Sequence, residues 1–265
     1  MNSQMKWIQS PENPLIKEIK KIKKCPGKRI FLEGPHLVET SLMSDYAYIE
    51  KVLVTEKFIE KQKNFLEILQ QKKILVTIIS EKVAKTISDT VTPQGVFAIA
   101  DFKIKNINDL SNPTFIVIAD RIQDPGNLGT IIRAAEAFGA EAVLVTYGTC
   151  NPFSNKALRA SAGSIFFLPV INVTVKEIEE FVFKYGLNLV ITDLRATISP
   201  FNMDFTKPLA IVFGNESKGV SQHLKAIKHV SCKIPHRGKA ESLNVAMAAT
   251  AILYEILRQR FLKSP

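Results

Sequence analysis

Residues 115–133 read FIVIADRIQDPGNLGTIIR and contain the clearest folding signal in the chain. The run 115–119 is continuously apolar, which is typical of a strand buried on both faces of a parallel sheet. A polar loop with proline and glycine follows, and Leu128, Ile131 and Ile132 then recur at the spacing of one helical face. The stretch therefore predicts a strand, a loop and a helix, with the loop at the sheet edge where α/β proteins bind ligands.

Arg133 lies away from that apolar helical face, so core packing does not require it. On this ground alone it is either a solvated surface arginine or a site residue. The neighbouring Gly126 and Gly129 do not have the spacing of a dinucleotide-binding fingerprint, whose acidic partner is also missing. A nicotinamide-dependent oxidoreductase is therefore disfavoured.

Two more strand-to-loop junctions follow, IVFGNESKGV at 211–220 and IPHRGKAESLNV at 234–245. Glu216 in the first is either a turn-stabilising carboxylate or a site residue. Ser242 and Asn244 in the second are either helix caps or site groups at a helix N-terminus. Three similar junctions in one domain are more informative than any one of them.

Further apolar runs, separated by helical segments, predict a parallel sheet covered on both faces. The predicted strands of this sheet are 115–119, 142–145, 187–192, 209–213 and 229–234. A long helix is predicted over 243–261, with Ser242 as its N-cap. Its apolar face is predicted to contain Val245, Ala248, Ala249, Ile252 and Ile256.

The N-terminal half begins with a basic amphipathic helix, in which lysines alternate with apolar residues at helical spacing. Short apolar runs then alternate with helical segments, which predicts a small α/β domain. Its predicted strands are 29–33, 51–55, 74–79 and 95–100, and its further predicted helices are 37–43 and 60–71. The polar, turn-rich stretch 103–113 is the predicted boundary, so we assign 1–105 to the first domain and 112–265 to the second.

The 265-residue chain carries a formal net charge of +10. A basic surface attracts polyanions, so nucleic acid is the natural partner, although charge alone equally allows a merely soluble basic surface. No apolar run approaches the roughly 20 residues of a membrane helix, and the first residues lack a signal-peptide pattern, which predicts a cytoplasmic protein. The three cysteines are far apart and predict neither a disulfide framework nor a metal site.

Taken together and in this order, the three junctions resemble the three sequence motifs of the SpoU (TrmH) methyltransferases in the SPOUT superfamily. The matching residues are Asn127, Arg133, Gly214, Glu216, Gly219, Ser242, Leu243, Asn244 and Val245. The segment 155–163 is also similar to the family, and 31–39 and 92–96 resemble the substrate-binding domain that precedes many members. His236-Arg237 departs from the family, which more often has methionine after the Ile-Pro pair.

The resemblance implies an α/β fold with a trefoil knot, preceded by a small α/β RNA-binding domain of ribosomal-protein type. It also implies S-adenosyl-L-methionine as the cofactor, a ribose 2'-hydroxyl of RNA as the methyl acceptor, and no metal. The implied catalytic residues are Arg133, Asn127, Glu216, Ser242 and Asn244. The implied cofactor-binding residues are Thr192, Gly214, Asn215, Gly219, Ile234 and Leu243. Because a guanidinium stays protonated, we expect Arg133 to orient the ribose and stabilise negative charge, not to act as a base.

The resemblance implies 23S (large-subunit) ribosomal RNA as the first choice of substrate, with transfer RNA as the alternative. The alternative outside the enzymes is a non-catalytic RNA-binding protein that acts in ribosome assembly. Since related enzymes act as homodimers through the catalytic domain, we expect a dimer with the apolar face of the C-terminal helix in its interface. Five basic side chains are predicted RNA contacts, with a solvated surface as the alternative for the N-terminal ones. They are Lys17, Lys21, Lys24, Arg29 and Arg159.

Overall fold

Two separate β-sheets organise residues 6–262, the part of the chain that the computed structural model describes. The N-terminal sheet has the strand order β1-β4-β3-β5-β2 and is mixed, because β5 runs antiparallel to both of its neighbours. Its strands are β1 (Lys6–Ile8), β2 (Arg29–Glu33), β3 (Ala47–Val54), β4 (Leu75–Ile79) and β5 (Val96–Phe102). Its helices are α1 (Pro14–Lys24), α2 (Pro35–Ser41), α3 (Glu56–Lys61), α4 (Lys63–Gln71) and α5 (Glu81–Ile87).

Successive side chains along the strands of the N-terminal sheet point to opposite faces, and this produces two apolar layers. One face of the sheet, which includes Phe31 and Leu53, packs against α1 and α5. The other face, which includes Leu32 and Val54, packs against α2, α3 and α4. The domain is therefore a sheet covered by helices on both sides, as its alternating pattern predicts.

Three details of the N-terminal domain differ from the prediction. The predicted helix 60–71 is part of two helices, because Gln62 between them has φ −130° and ψ 56°, outside the helical region. The three-residue strand β1 and the seven-residue helix α5 are absent from the prediction. Strand β1 has too few residues to show a periodicity, and α5 begins where the Ser80 side chain accepts a hydrogen bond from the Val83 N–H.

The C-terminal sheet is parallel throughout, with the strand order β11-β9-β10-β6-β7-β8. Its strands are β6 (Phe115–Asp120), β7 (Ala142–Thr146), β8 (Val170–Val173), β9 (Asn188–Thr192), β10 (Leu209–Gly214) and β11 (Val230–Cys232). Its helices are α6 (Pro125–Ala137), α7 (Asn155–Ser161), α8 (Val175–Lys184), α9 (Gln222–Lys225) and α10 (Val245–Phe261). The predicted α/β class is confirmed, and only the four-residue strand β8 is missing from the prediction.

The central strands β6 and β10 are buried along their whole length. Val117 and Ile211 belong to the apolar layer that α6 and α10 cover, whereas Ile116 and Val212 belong to the layer under α8. Since all six strands are parallel, the loops that follow β6, β10 and β11 emerge at the same edge of the sheet. This edge carries the three junctions singled out in the sequence.

The start of α10 corrects one prediction. Its N-cap is Asn244, not Ser242, because the Asn244 Oδ1 atom accepts hydrogen bonds from the N–H groups of Ala246 (2.9 Å) and Met247 (3.3 Å). The predicted apolar face of α10 is largely buried inside the chain, where its members belong to the same apolar layer as α6. It is therefore not free to form a dimer contact. Its buried members are Ala249, Ile252 and Ile256, with Ala246 and Leu253 beside them.

A buried carboxylate joins the two domains. Glu33, at the end of β2, is 8% exposed and accepts hydrogen bonds from Ser88, from the Asp89 N–H (3.0 Å) and from Thr90. The Arg159 guanidinium, on α7 of the other domain, lies 3.7 Å from the Glu33 carboxylate. Because an unpaired charge at this depth is costly, the pairing favours a fixed domain arrangement.

Within residues 6–262, none of the helices combines the length and apolarity that crossing a membrane requires.

A close contact between α6 and α7 requires glycine at position 129. A Cβ atom there would overlap the carbonyl oxygen of Ala157 and would lie 2.6 Å from the Cβ of Ala160. We expect Gly129→Ala to lower the free energy of unfolding by about 1–2 kcal/mol, because an overpacking cost of about 2–3 kcal/mol outweighs the roughly 1 kcal/mol gain in helix propensity. Urea unfolding measures this. The control is Gly27→Ala, where a Cβ would meet no atom within 4 Å; equal stability of both variants would contradict the contact.

An ion pair fixes the carboxyl end of β9. The Lys225 Nζ lies 2.5 Å from the Asp193 Oδ2. Burial alone would raise the pKa of Asp193, but hydrogen bonds from Lys225 and Arg195 lower it to about 2. The ionised carboxylate thus stabilises the fold above the ordinary pKa of 3.8, and this contribution is lost as the pH falls from 3.8 towards 2.

We therefore expect Asp193→Asn to cost about 1 kcal/mol at pH 7, less than the full shift implies because solvent screens the pair. Urea unfolding at pH 7, 5 and 3 should show the difference from the unsubstituted protein shrinking only below pH 4. Asp45→Asn, which removes an exposed carboxylate of the N-terminal domain, is the control. A difference that stays constant down to pH 3 would contradict the ion pair.

Candidate active site

A cavity of about 700 Å³ opens at the carboxyl edge of the C-terminal sheet. Its walls are the loops after β9, β10 and β11 and the start of α10. All six residues predicted to bind a cofactor line it. They are Thr192, Gly214, Asn215, Gly219, Ile234 and Leu243.

The loop after β10 folds back on itself so tightly that only glycine fits at position 214. A Cβ atom there would overlap the backbone nitrogen of Val220. The loop closes through two backbone hydrogen bonds, from the Asn215 N–H to the Gly219 carbonyl (3.1 Å) and from the Gly219 N–H to the Asn215 carbonyl (2.9 Å). Gly219 has φ +65°, which glycine adopts without strain.

The polar side chains of two lining residues are used within the protein. The Asn215 Oδ1 accepts from the N–H groups of Ser217 and Lys218, and its Nδ2 donates to the Arg121 carbonyl at 3.0 Å. The Thr192 hydroxyl donates to the Val212 carbonyl at 2.9 Å. These side chains therefore fix the walls of the cavity, and contact with a ligand is left largely to the backbone.

Three side chains from the three junctions form a chain of hydrogen bonds, which we call the amide relay. The Asn244 Nδ2 donates to the Asn127 Oδ1 at 3.0 Å, and the Asn127 Nδ2 donates to the Glu216 Oε1 at 2.9 Å. Its direction follows from the helix cap: the Asn244 Oδ1 faces the N–H groups of α10, so only its NH₂ group is left for Asn127. The relay therefore ties the start of α6 and the loop after β10 to the start of α10.

Glu216 is ionised at the end of the relay. Burial raises its pKa, but hydrogen bonds from the Asn127 side chain and from backbone N–H groups, that of Gln123 among them, lower it by more, so the net pKa lies below the ordinary value. A carboxylate held in this way accepts hydrogen bonds at neutral pH and has no proton to donate. Glu216 consequently orders the loops and adds negative charge at the cavity mouth.

The structure brings four of the five predicted catalytic residues to the cavity. Glu216, Ser242 and Asn244 line it, and Asn127 contacts two of these through the relay. Arg133 is exposed on α6, six residues beyond Asn127 and so about 9 Å further along the helix axis, and it does not line the cavity. His236, which departs from the family's sequence pattern, also lines the cavity, and its Nδ1 atom lies 3.3 Å from the Ile234 carbonyl oxygen.

The five predicted RNA contacts fall into two groups. Lys17, Lys21 and Lys24 are exposed on α1, although Lys17 lies 3.7 Å from Glu12. Arg29 is paired with two glutamates at 2.6 Å each, and Arg159 lies 3.7 Å from the buried Glu33 carboxylate. The three lysines therefore remain predicted phosphate contacts, whereas the charges of the two arginines are compensated within the protein.

A buried carboxylate that the sequence pattern does not single out also supports this edge of the sheet. Asp120, the last residue of β6, is 1% exposed. It accepts hydrogen bonds from the Ser221 N–H (2.6 Å) and from the Thr146 hydroxyl (2.7 Å), which joins the loops after β7 and β10. An aspartate ending an otherwise apolar strand was the available signal. In the described range 6–262 no group of three or more His, Cys, Asp or Glu side chains is arranged to hold a metal ion.

Comparison with known proteins gives consistent matches over both domains. The sequence profile of the SpoU rRNA methylase family matches residues 114–254, and the profile for RNA 2'-O ribose methyltransferase substrate binding matches residues 31–104. The 23S rRNA (guanosine(2553)-2'-O)-methyltransferase RlmP of Bacillus subtilis is 30% identical, over 95% of this chain and 99% of its own.

Two solved structures are similar along nearly the whole chain. The AdoMet-bound rRNA methyltransferase from Sinorhizobium meliloti has a TM-score of 0.85 and 29% identity, over 97% of this chain and 98% of that one. The SpoU methyltransferase AviRb from Streptomyces viridochromogenes, in complex with AdoMet, has a TM-score of 0.84 and 27% identity, over 94% and 100%. With a profile that covers more than half of the chain and a relative that matches at full length, this protein belongs to the SpoU rRNA methylase family.

Proposed function

We propose that this protein transfers a methyl group from S-adenosyl-L-methionine to a ribose 2'-hydroxyl of 23S ribosomal RNA in the cytoplasm. The observation that carries the proposal is the amide relay at the mouth of a ligand-sized cavity, in a chain that belongs to the SpoU family. The Bacillus subtilis relative is named for 2'-O-methylation of 23S rRNA, and two similar structures contain AdoMet. These findings support ribosomal RNA over transfer RNA.

The cavity suits the proposed cofactor in size and in chemistry. Its volume of about 700 Å³ lies within the range of small-molecule sites. Because Gly214 has no Cβ, the loop after β10 can fold back against it, and Gly214 lines the cavity together with Ile234 and Leu243 from the segment between β11 and α10. These three positions would hold the cofactor, which when bound supplies a methyl group on a sulfonium, a good leaving group that needs no metal.

The chain's own contribution is to place the acceptor hydroxyl in line with that methyl group. Asn127 and Asn244 have orientations fixed by the relay, so the loop that approaches the ribose is rigid before RNA binds. The Arg133 guanidinium, exposed on α6 outside the cavity of its own chain, cannot take up the hydroxyl proton, which would pass to solvent. We assign Arg133 to holding a phosphate of the RNA and to stabilising negative charge on the oxygen. Ser242, exposed on the cavity rim, shapes the entrance.

The dimer we propose uses the outer face of α10. Met247, Tyr254 and Phe261 recur every seven residues on this helix and are 67%, 58% and 75% exposed. The Tyr254 ring lies edge-on to Phe138 at the end of α6, with 5.9 Å between centroids, so the apolar surface continues onto the helix that carries Arg133. An apolar stripe of this length is typical of a surface that a second copy covers.

Methyl transfer tests the reaction. RNA from cells that lack the protein is incubated with labelled S-adenosyl-L-methionine, and the labelled 2'-O-methyl site is mapped. We expect label in 23S RNA, and we expect Arg133→Ala to lower kcat by about 100-fold or more, as loss of a charge-stabilising donor does. Arg133→Lys keeps the charge but not the planar guanidinium, so its kcat should lie between those of the unsubstituted protein and Arg133→Ala.

Lys176→Ala, at an exposed position on α8, is the control that should transfer normally. Near-normal transfer by Arg133→Ala would remove Arg133 from the site. If the unsubstituted protein binds RNA and transfers no label, it is a non-catalytic RNA-binding protein. Label confined to transfer RNA would show that the substrate assignment is wrong.

The oligomeric state tests the second part of the proposal. Light scattering after gel filtration should give twice the 29.6 kDa of one chain. We expect the double variant Met247→Asp, Tyr254→Asp to be monomeric, because a buried unpaired carboxylate in the interface is costly. Phe183→Asp, at an 89% exposed position on α8, should stay dimeric. A monomeric unsubstituted protein would refute the dimer.

A further inference from the structure

A second, shallower pocket of about 410 Å³ adjoins the active site at the same edge of the sheet. It is lined by the segment 146–150, which begins at the last residue of β7, by Gln123 from the loop after β6, and by Asn172 of β8. Tyr147 in this segment is 97% exposed, so it contributes almost nothing to the core. A large aromatic side chain held in solvent beside a catalytic loop has no packing explanation.

The segment that presents Tyr147 is a rigid turn. The Thr149 N–H donates to the Thr146 carbonyl at 3.1 Å, and Gly148 has φ +88°, which is the arrangement of a type II turn with Tyr147 at its first corner. The turn is also fixed to the neighbouring loop, because the Cys150 N–H donates to the Ile122 carbonyl at 2.8 Å. The exposed ring therefore starts from an ordered backbone, and binding a ligand costs little backbone entropy.

Gln123 connects this turn to the amide relay. Its side-chain Nε2 donates to the Gly148 carbonyl at 2.8 Å, and its backbone N–H lies 3.4 Å from the Glu216 Oε2. One residue thus separates the Tyr147 turn from the carboxylate at the cavity mouth. An RNA strand whose ribose enters the cavity has its neighbouring nucleotides within reach of the turn.

We propose that Tyr147 stacks on an unpaired base adjacent to the methylated nucleotide, with Asn172 facing the edge of that base. The inference rests on the proposed function, since it assigns a substrate contact to the same site. Every base has a face that can stack on an aromatic ring, and single-stranded RNA is commonly held in this way. The other lining residues are mostly polar, whereas a protein partner would need an apolar surface around the ring.

Binding of a labelled, unstructured 12-nucleotide RNA, compared with a duplex of the same sequence, tests the inference. We expect the unsubstituted protein to prefer the unpaired strand. Tyr147→Ala should bind the unpaired strand at least about fivefold more weakly, the lower end for loss of one stacking contact, and duplex binding should change little. Tyr147→Phe, which keeps the ring, should retain the affinity. Phe183→Ala, an exposed aromatic on α8 at the other edge of the sheet, is the matched control.

Equal affinity of Tyr147→Ala and the unsubstituted protein for the unpaired strand would overturn the inference. So would the absence of any preference for unpaired RNA, an equal loss in Phe183→Ala, or a change of oligomeric state in Tyr147→Ala. Because binding is measured without cofactor, the outcome is independent of methyl transfer. If Tyr147→Ala binds the unpaired strand more weakly but the unsubstituted protein transfers no methyl group, only the proposed reaction is refuted. If the unsubstituted protein methylates RNA normally and Tyr147→Ala binds the unpaired strand as tightly as it does, only the Tyr147 contact is refuted.

Discussion

The amide relay is the interaction on which the active site depends, because it fixes three loops that the chain brings together from distant positions. Its polarity is set by the unpaired N–H groups at the start of α10, which claim the Asn244 Oδ1 and leave its NH₂ group for Asn127. Asn127 must then donate to Glu216, which stays ionised. Breaking one link would leave a polar group without its partner and free a loop, so geometry and charge are maintained together.

The other contacts at the carboxyl edge of the C-terminal sheet also hold the loops of the active site in place. Asp120 ties the loops after β7 and β10 to the end of β6, and the backbone contact at Gly214 closes the cavity wall. A reaction between a hydroxyl and a sulfonium methyl group needs alignment more than it needs acid, base or metal chemistry. The exposed lysines of α1 remain the predicted phosphate contacts, and charges of this kind attract RNA over long distances without specifying a base.

Much of this organisation was predictable from local patterns. The continuous apolar runs at β6, β7, β9 and β10 predict a parallel sheet, and the confirmed α/β class follows from their alternation with helices. The three polar junctions predict where a site lies, and the six residues expected to hold a cofactor all line one cavity. Short elements escaped prediction, because β1 and β8 offer too few residues for a periodicity to appear.

The strand pattern alone indicates an α/β protein, and the resemblance of the three motifs to the SpoU family indicates a methyltransferase, since each signal depends on residues close together in the chain. Tertiary structure alone decided which polar atoms meet. Ser242 and Asn244 are equally good caps by type, but only Asn244 contacts both α10 and Asn127. Arg29 and Arg159 look like free cations until folding places carboxylates beside them. The exposure of Tyr147 and the position of Arg133 outside the cavity likewise depend on packing between distant segments, which no local periodicity encodes.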